Sequence, residues 1–368
     1  MAPALALSRG TSWVHESPYL PLGWEETNEI GSPSLKHSAM KRVLSDQRAL
    51  TPEIFAAVPW HIANYLWDCL GRSKKRTFYM WKLFATAYPL QFREHSRYRS
   101  MKIEGPKMPM RDYFGLVRSE SLRWRLALTL AVEFATVPEL VEITTLTNLI
   151  ALEIISPPFT QGILNDTELP VTMLNDRIIR TWSELARASK AFTHLQIMRL
   201  YHQKDLSTVA LRYMKDFPSL RFIIVHNCQG ITSKLSDNCT EINGWEIVAI
   251  PQLTKSTTLY GCYTTMKDLG EEGDQSVMDG DIPVLDFQIG HTIHRENKRI
   301  EARTQPICLK KCITSTETET EIPEPVTKKA KLNGERKQID LDTRNKTRRS
   351  VMKDRKGRDL GGVLEELM

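Results

Sequence analysis

The sequence predicts an α/β protein with three parts: a short helical module, an irregular array of alternating strands and helices, and a disordered basic tail. Three observations predict this. Apolar residues recur at helical spacing through residues 50–89. A strand-like apolar template recurs at 25-residue steps further along. The C-terminal stretch changes to low-complexity acidic and then basic composition. The boundaries read as a loosely ordered arm over 1–45, helical module and linker over 46–112, the array over 113–300 and the tail over 301–368.

Bulk properties narrow the class. A chain of 368 residues can bury a substantial core, and 41% apolar with 8% aromatic residues suits a globular protein. No apolar run reaches the length of about 18 residues that a bilayer-spanning helix needs, so no membrane partner is expected. MAPALALSRG has no charged region before its apolar stretch and is a poor secretory signal. Six dispersed Cys suggest reduced thiols, as in the cytosol or nucleus, and not a disulfide framework.

The arm mixes Ser, Pro, Gly and charge without period, and its aromatics Trp13, Tyr19 and Trp24 dock on the body or bind a partner, docking being the commoner fate. Thr51 is an N-cap, with Pro52 at the first helical position and Glu53 in the first turn. Ile54, Phe55 and Val58 share a face, and Pro59 ends that helix. Ile62, Tyr65, Leu66 and Cys69 form a second stripe; Phe78, Trp81, Leu83, Phe84 and Tyr88 form a third. EGPKMPM reads as a linker. RWRLALTLAVEF then alternates with period two, from Trp124 through Leu126, Leu128 and Leu130 to Val132, as a strand does.

The template apolar-x-x-apolar-x-x-apolar-x-apolar fits Phe217, Leu220, Ile223 and Val225. It also fits Phe192, Leu195, Met198 and Leu200; Ile242, Trp245, Val248 and Ile250; and Leu146, Leu149, Leu152 and Ile154. Helix-like segments lead into three of these copies: VPELVEITTL, NDRIIRTWSELARASK and KDLSTVALRYMKDF. A strand plus a helix at this period resembles the leucine-rich repeat, whose pattern L-x-x-L-x-L-x-x-N/C is matched by Leu220, Ile223, Val225 and Cys228. The other copies carry Pro157, Gln203 and Leu253 at the last position and must satisfy that turn differently. The steps from Leu126 through Leu152, Met198 and Ile223 to Val248 are 26, 46, 25 and 25 residues, so the long step holds an insertion or a degenerate copy. In this arrangement Leu220, Ile223 and Val225 point inward, and Arg221, Phe222 and Ile224 lie on an exposed strand face that binds a target. An ordinary α/β domain with several buried strands is the alternative.

The helical module resembles an F-box on Leu50, Pro52 and Glu53 at its start, a second amphipathic helix, and Trp81 in the third. It departs from that pattern at Pro59, which interrupts where many members run on. The resemblance implies a protein partner, the adaptor subunit of a cullin-type ubiquitin ligase, contacted by Pro52, Ile54, Trp60 and Trp81, with the array selecting an unknown substrate. The alternative is a helical cap over one end of the repeat stack.

Chemistry is poorly represented. There is no G-x-S-x-G elbow, Walker loop, G-x-G-x-x-G turn or H-E-x-x-H helix, so the expectation is a non-enzyme without cofactor. His291-x2-His294 and Cys308-x3-Cys312 have zinc-like spacing, but their order and polar flanks favour unrelated residues. His194, His202 and His226 read as buried or rim residues, and Cys69 and Cys228 as core thiols.

Residues 326–358 hold 13 Lys or Arg against 4 Asp or Glu, so the remainder of the chain is slightly acidic. Lys328, Lys329 and Lys331, extended by Arg336 and Lys337, resemble a nuclear import signal, which implies an import receptor and residence in the nucleus, or in nucleus and cytoplasm. The run Arg344, Lys346, Arg348, Arg349, Lys353, Arg355, Lys356 and Arg358 could contact nucleic-acid phosphates, without aromatics to stack on bases. DLGGVLEELM places Leu360, Val363, Leu364 and Leu367 on one side of a short helix that frays or orders on a partner. Two functions are expected from the sequence: a protein-interaction module, which the resemblance makes an F-box-type substrate receptor, and, as the alternative, a nuclear chromatin- or nucleic-acid-associated regulator acting through the tail.

Overall fold

Consecutive apolar runs such as FIIV and LIALEII are too continuous for strands with one wet face; they suit strands covered on both sides, as in parallel sheets. The computed structural model describes residues 11–22, 34–157, 172–233, 241–250, 258–270, 282–290 and 306–312, and in it these runs form the middle of a nine-stranded mixed sheet. The protein is thus mixed α/β. Among the described residues no helix is long and apolar enough to cross a membrane.

Among the described residues the first full helix is α1 (Leu35–Leu44), followed by α2 (Pro52–Ala56), α3 (Trp60–Arg72), α4 (Phe78–Ala87) and α5 (Pro89–His95). The first strand, β1 (Tyr98–Ile103), and helix α6 (Met110–Val117) flank the EGPKMPM stretch that reads as linker. Four parallel strands follow: β2 (Arg125–Ala131), β3 (Leu149–Ile155), β4 (Ile197–Tyr201) and β5 (Phe222–His226). Each is the sheet neighbour of the next, and helices α7 (Val137–Glu142), α8 (Asp176–Ala188) and α9 (Thr208–Met214) connect them. Helix α10 (Gln229–Thr232), the hairpin β6 (Glu241–Ile242) and β7 (Trp245–Val248), α11 (Leu259–Gly270), β8 (Val284–Ile289) and β9 (Ile307–Lys311) complete the order. The sheet runs β1-β8-β2-β3-β4-β5-β9-β7-β6.

Leu152, Met198 and Ile223 stand opposite one another, and so do Ile154, Leu200 and Val225. These side chains join Leu140, Ile178, Ile179, Trp182, Leu211 and Met214 of the connecting helices in the main core. Strands β3, β4 and β5 are entered by a similar turn: the amides of Leu149, Leu195 and Leu220 bond the carbonyls of Leu146, Phe192 and Phe217 at 3.2, 3.2 and 3.4 Å. The Phe192 and Phe217 rings lie 4.8 Å apart beneath these turns. These turns recur at steps of 46 and 25 residues, from Leu149 to Leu195 and from Leu195 to Leu220.

Several expectations are corrected. The copy at Ile242–Ile250 is no parallel rung but an antiparallel hairpin, because Asn243 and Gly244 both have positive φ (50° and 78°) and form a tight turn. Gly244 tolerates that conformation without a Cβ penalty. It is β9 that lies beside β5, antiparallel, so residues 307–311 belong to the sheet and not to a disordered tail. Strand β8 inserts between β1 and β2, parallel to both, so β1, inside the stretch 46–112 that reads as helical module and linker, belongs to the sheet. Leu128, two residues beyond Leu126, stands opposite Leu152. The arm is also more ordered than its composition implies: α1 is capped by Ser34, Trp13 lies 5.0 Å from Tyr79, and Tyr19 sits beneath Arg48. Trp24 lies outside the described residues.

Candidate functional site

The helical module forms as its caps dictate. Thr51 Oγ1 accepts the Ile54 amide at 3.4 Å, and Pro52 occupies the first helical position. Phe55 turns inward, 5.2 Å from Phe84. The Tyr88 hydroxyl faces both the Phe55 and Val58 carbonyls, at 2.7 and 2.6 Å, and pins the elbow between α2 and α3. With Phe55 inside, the other side of α2 faces out: Ile54 is 52% exposed, and Ile62 on the first turn of α3 is 43% exposed. Pro52 is half-buried at the start of this edge. Trp60 is half-buried, its ring 5.2 Å from Tyr88 and 5.1 Å from His95. Pro52, Ile54, Ile62 and Trp60 are the residues around this elbow that keep apolar surface exposed or half-exposed.

Trp81 is not part of that border. It is 1% exposed and meets Trp124 edge-on at 5.9 Å, so its expected partner contact is corrected to a core role. The module is fused to the sheet and does not hang from it. Phe78 reaches Phe287 of β8 at 6.3 Å, and Lys82 Nζ donates to the Leu116 carbonyl at 2.5 Å while lying over the Phe78 and Trp124 rings. Burial pushes the Lys82 ammonium down to about 8. Glu16 caps the first amide of α4 and pairs with Arg99 of β1 at 2.6 Å, joining arm, module and sheet.

The strand face expected to be open is covered. Arg221 is exposed, but Phe222 is 7% exposed and Ile224 fully buried, because α11 lies across β2, β3 and β4. Leu259, Cys262, Tyr263 and Met266 of α11 pack against Ala127, Ala151, Ile197, Phe222 and Ile224. Phe222 and Ile224 therefore do not form a contact surface. The alternation itself holds, since Leu220, Ile223 and Val225 point into the helix-side core. Spacing at i, i+3, i+4 and i+7 in LYGCYTTMKDLG carries the α11 signal, blurred by its Gly and Thr residues.

Beneath α11 runs a polar row. Glu153 and Arg199, opposite each other on β3 and β4, form a buried ion pair, and Arg199 also donates to Cys262 Sγ at 3.3 Å. Burial works against the Arg199 charge, yet Glu153 beside it holds its pKa above the ordinary value. Asp286 on β8 is fully buried; burial pushes its carboxyl up, opposed by bonds from the Tyr98 hydroxyl at 2.8 Å and from Gln288. Glu153, Arg199 and Cys262 form one bonded group and Asp286, Tyr98 and Gln288 another, in which Gln288 Oε1 stays buried without a hydrogen-bond partner among the described residues.

Cys308 faces the α11 side, buried, and Cys312 lies half-exposed just past β9; His291 and His294 lie outside the described residues. Among the described residues no group of three or more His, Cys, Asp or Glu side chains could hold a metal ion. Lys328, Lys329, Lys331, Arg336 and Lys337, the basic run to Arg358 and the DLGGVLEELM segment also lie outside the described residues.

No family model matches the sequence, and neither a curated protein nor a solved structure matches the chain.

Proposed function

We propose that the protein is a non-catalytic recognition protein whose helical module docks the adaptor subunit of a cullin-type ubiquitin ligase, with the strand–helix array holding a target. The observation that carries this reading is the paired exposure of Ile54 and Ile62 on an elbow whose neighbours Phe55, Ala63 and Leu66 are buried. A partner helix that covers both Ile side chains would gain the free energy of burying their apolar surface. The order of a helical module before parallel strands is the order that the F-box resemblance implies, but strands buried on both faces within a nine-stranded mixed sheet are those of an ordinary α/β domain and not of an open leucine-rich-repeat array. Import through Lys328, Lys329 and Lys331 is part of the same proposal; changing all three to Ala should deplete a fluorescent fusion from the nucleus.

Deleting residues 50–89 would be a poor test, because Phe78, Trp81 and Phe84 belong to the common core. The test is capture of purified adaptor by the full chain and by an Ile54→Glu, Ile62→Glu variant. The wild type should retain the adaptor and the variant lose it at unchanged melting temperature. Equal capture by both, or none by either, overturns the reading. A second reading, regulation through nucleic-acid binding by the tail, is favoured by the charge of residues 326–358 alone.

A further inference from the structure

With its strand face closed by α11, the array must meet a target elsewhere, and the outer face of α8 and α9 has a distinct character. On α8 the buried residues Ile178, Ile179 and Trp182 fix the rotation of the helix. That places Arg177, Arg180, Glu184 and Arg187, spaced by three, four and three residues, along the opposite side. At 1.5 Å per residue the stripe is about 15 Å long. All four are exposed, and Lys190 just beyond the helix is exposed too. Helix α9 packs alongside and adds exposed Arg212, with exposed Lys215 immediately after it. The two helices are locked together where Asp216 accepts from Arg187 at 2.6 Å and from the Ser183 hydroxyl, and where Asp176 accepts the Ser207 amide at 2.9 Å.

The charges on this face do not cancel. Glu184 is held by Arg180 at 2.9 Å and Asp216 by Arg187. Arg177, Lys190, Arg212 and Lys215 make no ion pair among the described residues. Arg177 and Arg212 on the two packed helices, with Lys190 and Lys215 just beyond them, repel one another, and a partner of opposite charge relieves that repulsion.

We infer that the α8–α9 face binds an acidic polypeptide segment, which makes acidic character the recognition mark of the target. The inference rests on the receptor reading, since it names the chemistry of what that receptor holds. An acidic polypeptide fits better than nucleic acid because Glu184 stands in the middle of the stripe. A continuous phosphate backbone crossing the stripe would run over that carboxylate, whereas side-chain carboxylates spaced along a peptide can straddle it.

The test is fluorescence anisotropy with the full chain and a labelled twelve-residue polyglutamate peptide. The wild type is compared with a chain carrying Arg177→Glu, Lys190→Glu, Arg212→Glu and Lys215→Glu. The expected result is at least about a tenfold loss of affinity in the variant, with a flatter salt dependence. Unchanged affinity, which would mean that the basic tail alone holds the peptide, overturns the inference. So does loss of duplex DNA binding with peptide binding retained, which would mark a phosphate-binding surface. If the reversed variant melts early, Gln at the same four positions replaces Glu, and a loss of about threefold is then required. Adaptor capture is measured on the same preparations: its failure in the wild type strikes the receptor reading, whereas retained capture with unchanged peptide affinity strikes only this one.

Discussion

Cys228 Sγ accepts the backbone amide of Gln203 at 3.3 Å, across a step of 25 residues. Gln203 Nε2 in turn donates to the carbonyls of Ile154 and Tyr201 at 3.3 and 2.7 Å, and the Ser156 hydroxyl meets Gln203 Oε1 at 3.1 Å. Ser156, Gln203 and Cys228 thus form a buried polar ladder along the strand ends, each bonding its neighbour. His202 and Asn227, immediately before the last two, both turn through positive φ (56° and 50°), so the ladder follows a repeated turn. Gln203 does at its rung what Cys228 does at the next.

Gln203→Leu keeps the volume but leaves two carbonyls of the strand ends without their donor. It should cost about 2 kcal/mol of stability, whereas Cys228→Ala should cost about 1–2 kcal/mol. Urea unfolding checks this: the midpoint should fall with an unchanged slope. A Gln203→Leu chain as stable as the wild type would show that the ladder is idle.

Lys82 gives a pH signature. Its folded pKa, about 8, lies below the ordinary 10.5. Below pH 8 both folded and unfolded chains hold the proton, and the cost of burying the charge is present in full. Between pH 8 and 10.5 the folded chain releases its proton first, so the unfolded chain binds more protons and stability rises with pH. Lys82→Met keeps the packing over Phe78 and Trp124 and removes the charge. The stability of the wild type relative to Lys82→Met should therefore climb across that window; a constant difference contradicts the assignment.

The Glu153–Arg199 pair under α11 separates a broken pair from a replaced one. Arg199→Leu alone leaves a buried carboxylate and should cost about 3–5 kcal/mol. Glu153→Leu with Arg199→Leu removes both charges and should recover most of that loss. Denaturant titrations of both variants decide it, and a double variant no better than the single would refute the account.

The legible and illegible parts of this fold differ in their physics. The three helices after Leu50 were readable because caps and breakers, Thr51, Pro52 and Pro59, act locally and are written in single residues. The apolar beat of Leu152, Met198 and Ile223 was readable for the same reason. What covers the second strand face was not, because α11 reaches it from more than thirty residues further along the chain. Even so, the uninterrupted run Phe222–Val225 already disfavours a wet face. Asn243-Gly244 between alternating residues carries a hairpin signal that the repeat template overrode. Strands β1 and β8 stayed hidden because YRSMKI and VLDFQI carry charges, and sheet position alone decides whether such residues are buried. At the candidate site, Pro52 and Ile54 were readable from the helix start, but which of Ile54, Trp60 and Trp81 faces solvent depended on tertiary packing.

The most direct measurement is adaptor binding by the full chain, followed by calorimetry, for wild type, Ile54→Glu and Trp60→Ala. The account predicts measurable binding by the wild type, loss of at least about tenfold for Ile54→Glu at unchanged melting temperature, and a smaller loss for Trp60→Ala, whose ring is half-held by Tyr88 and His95. Wild-type and Ile54→Glu chains that bind the adaptor equally, or a wild type that does not bind it, would contradict the account.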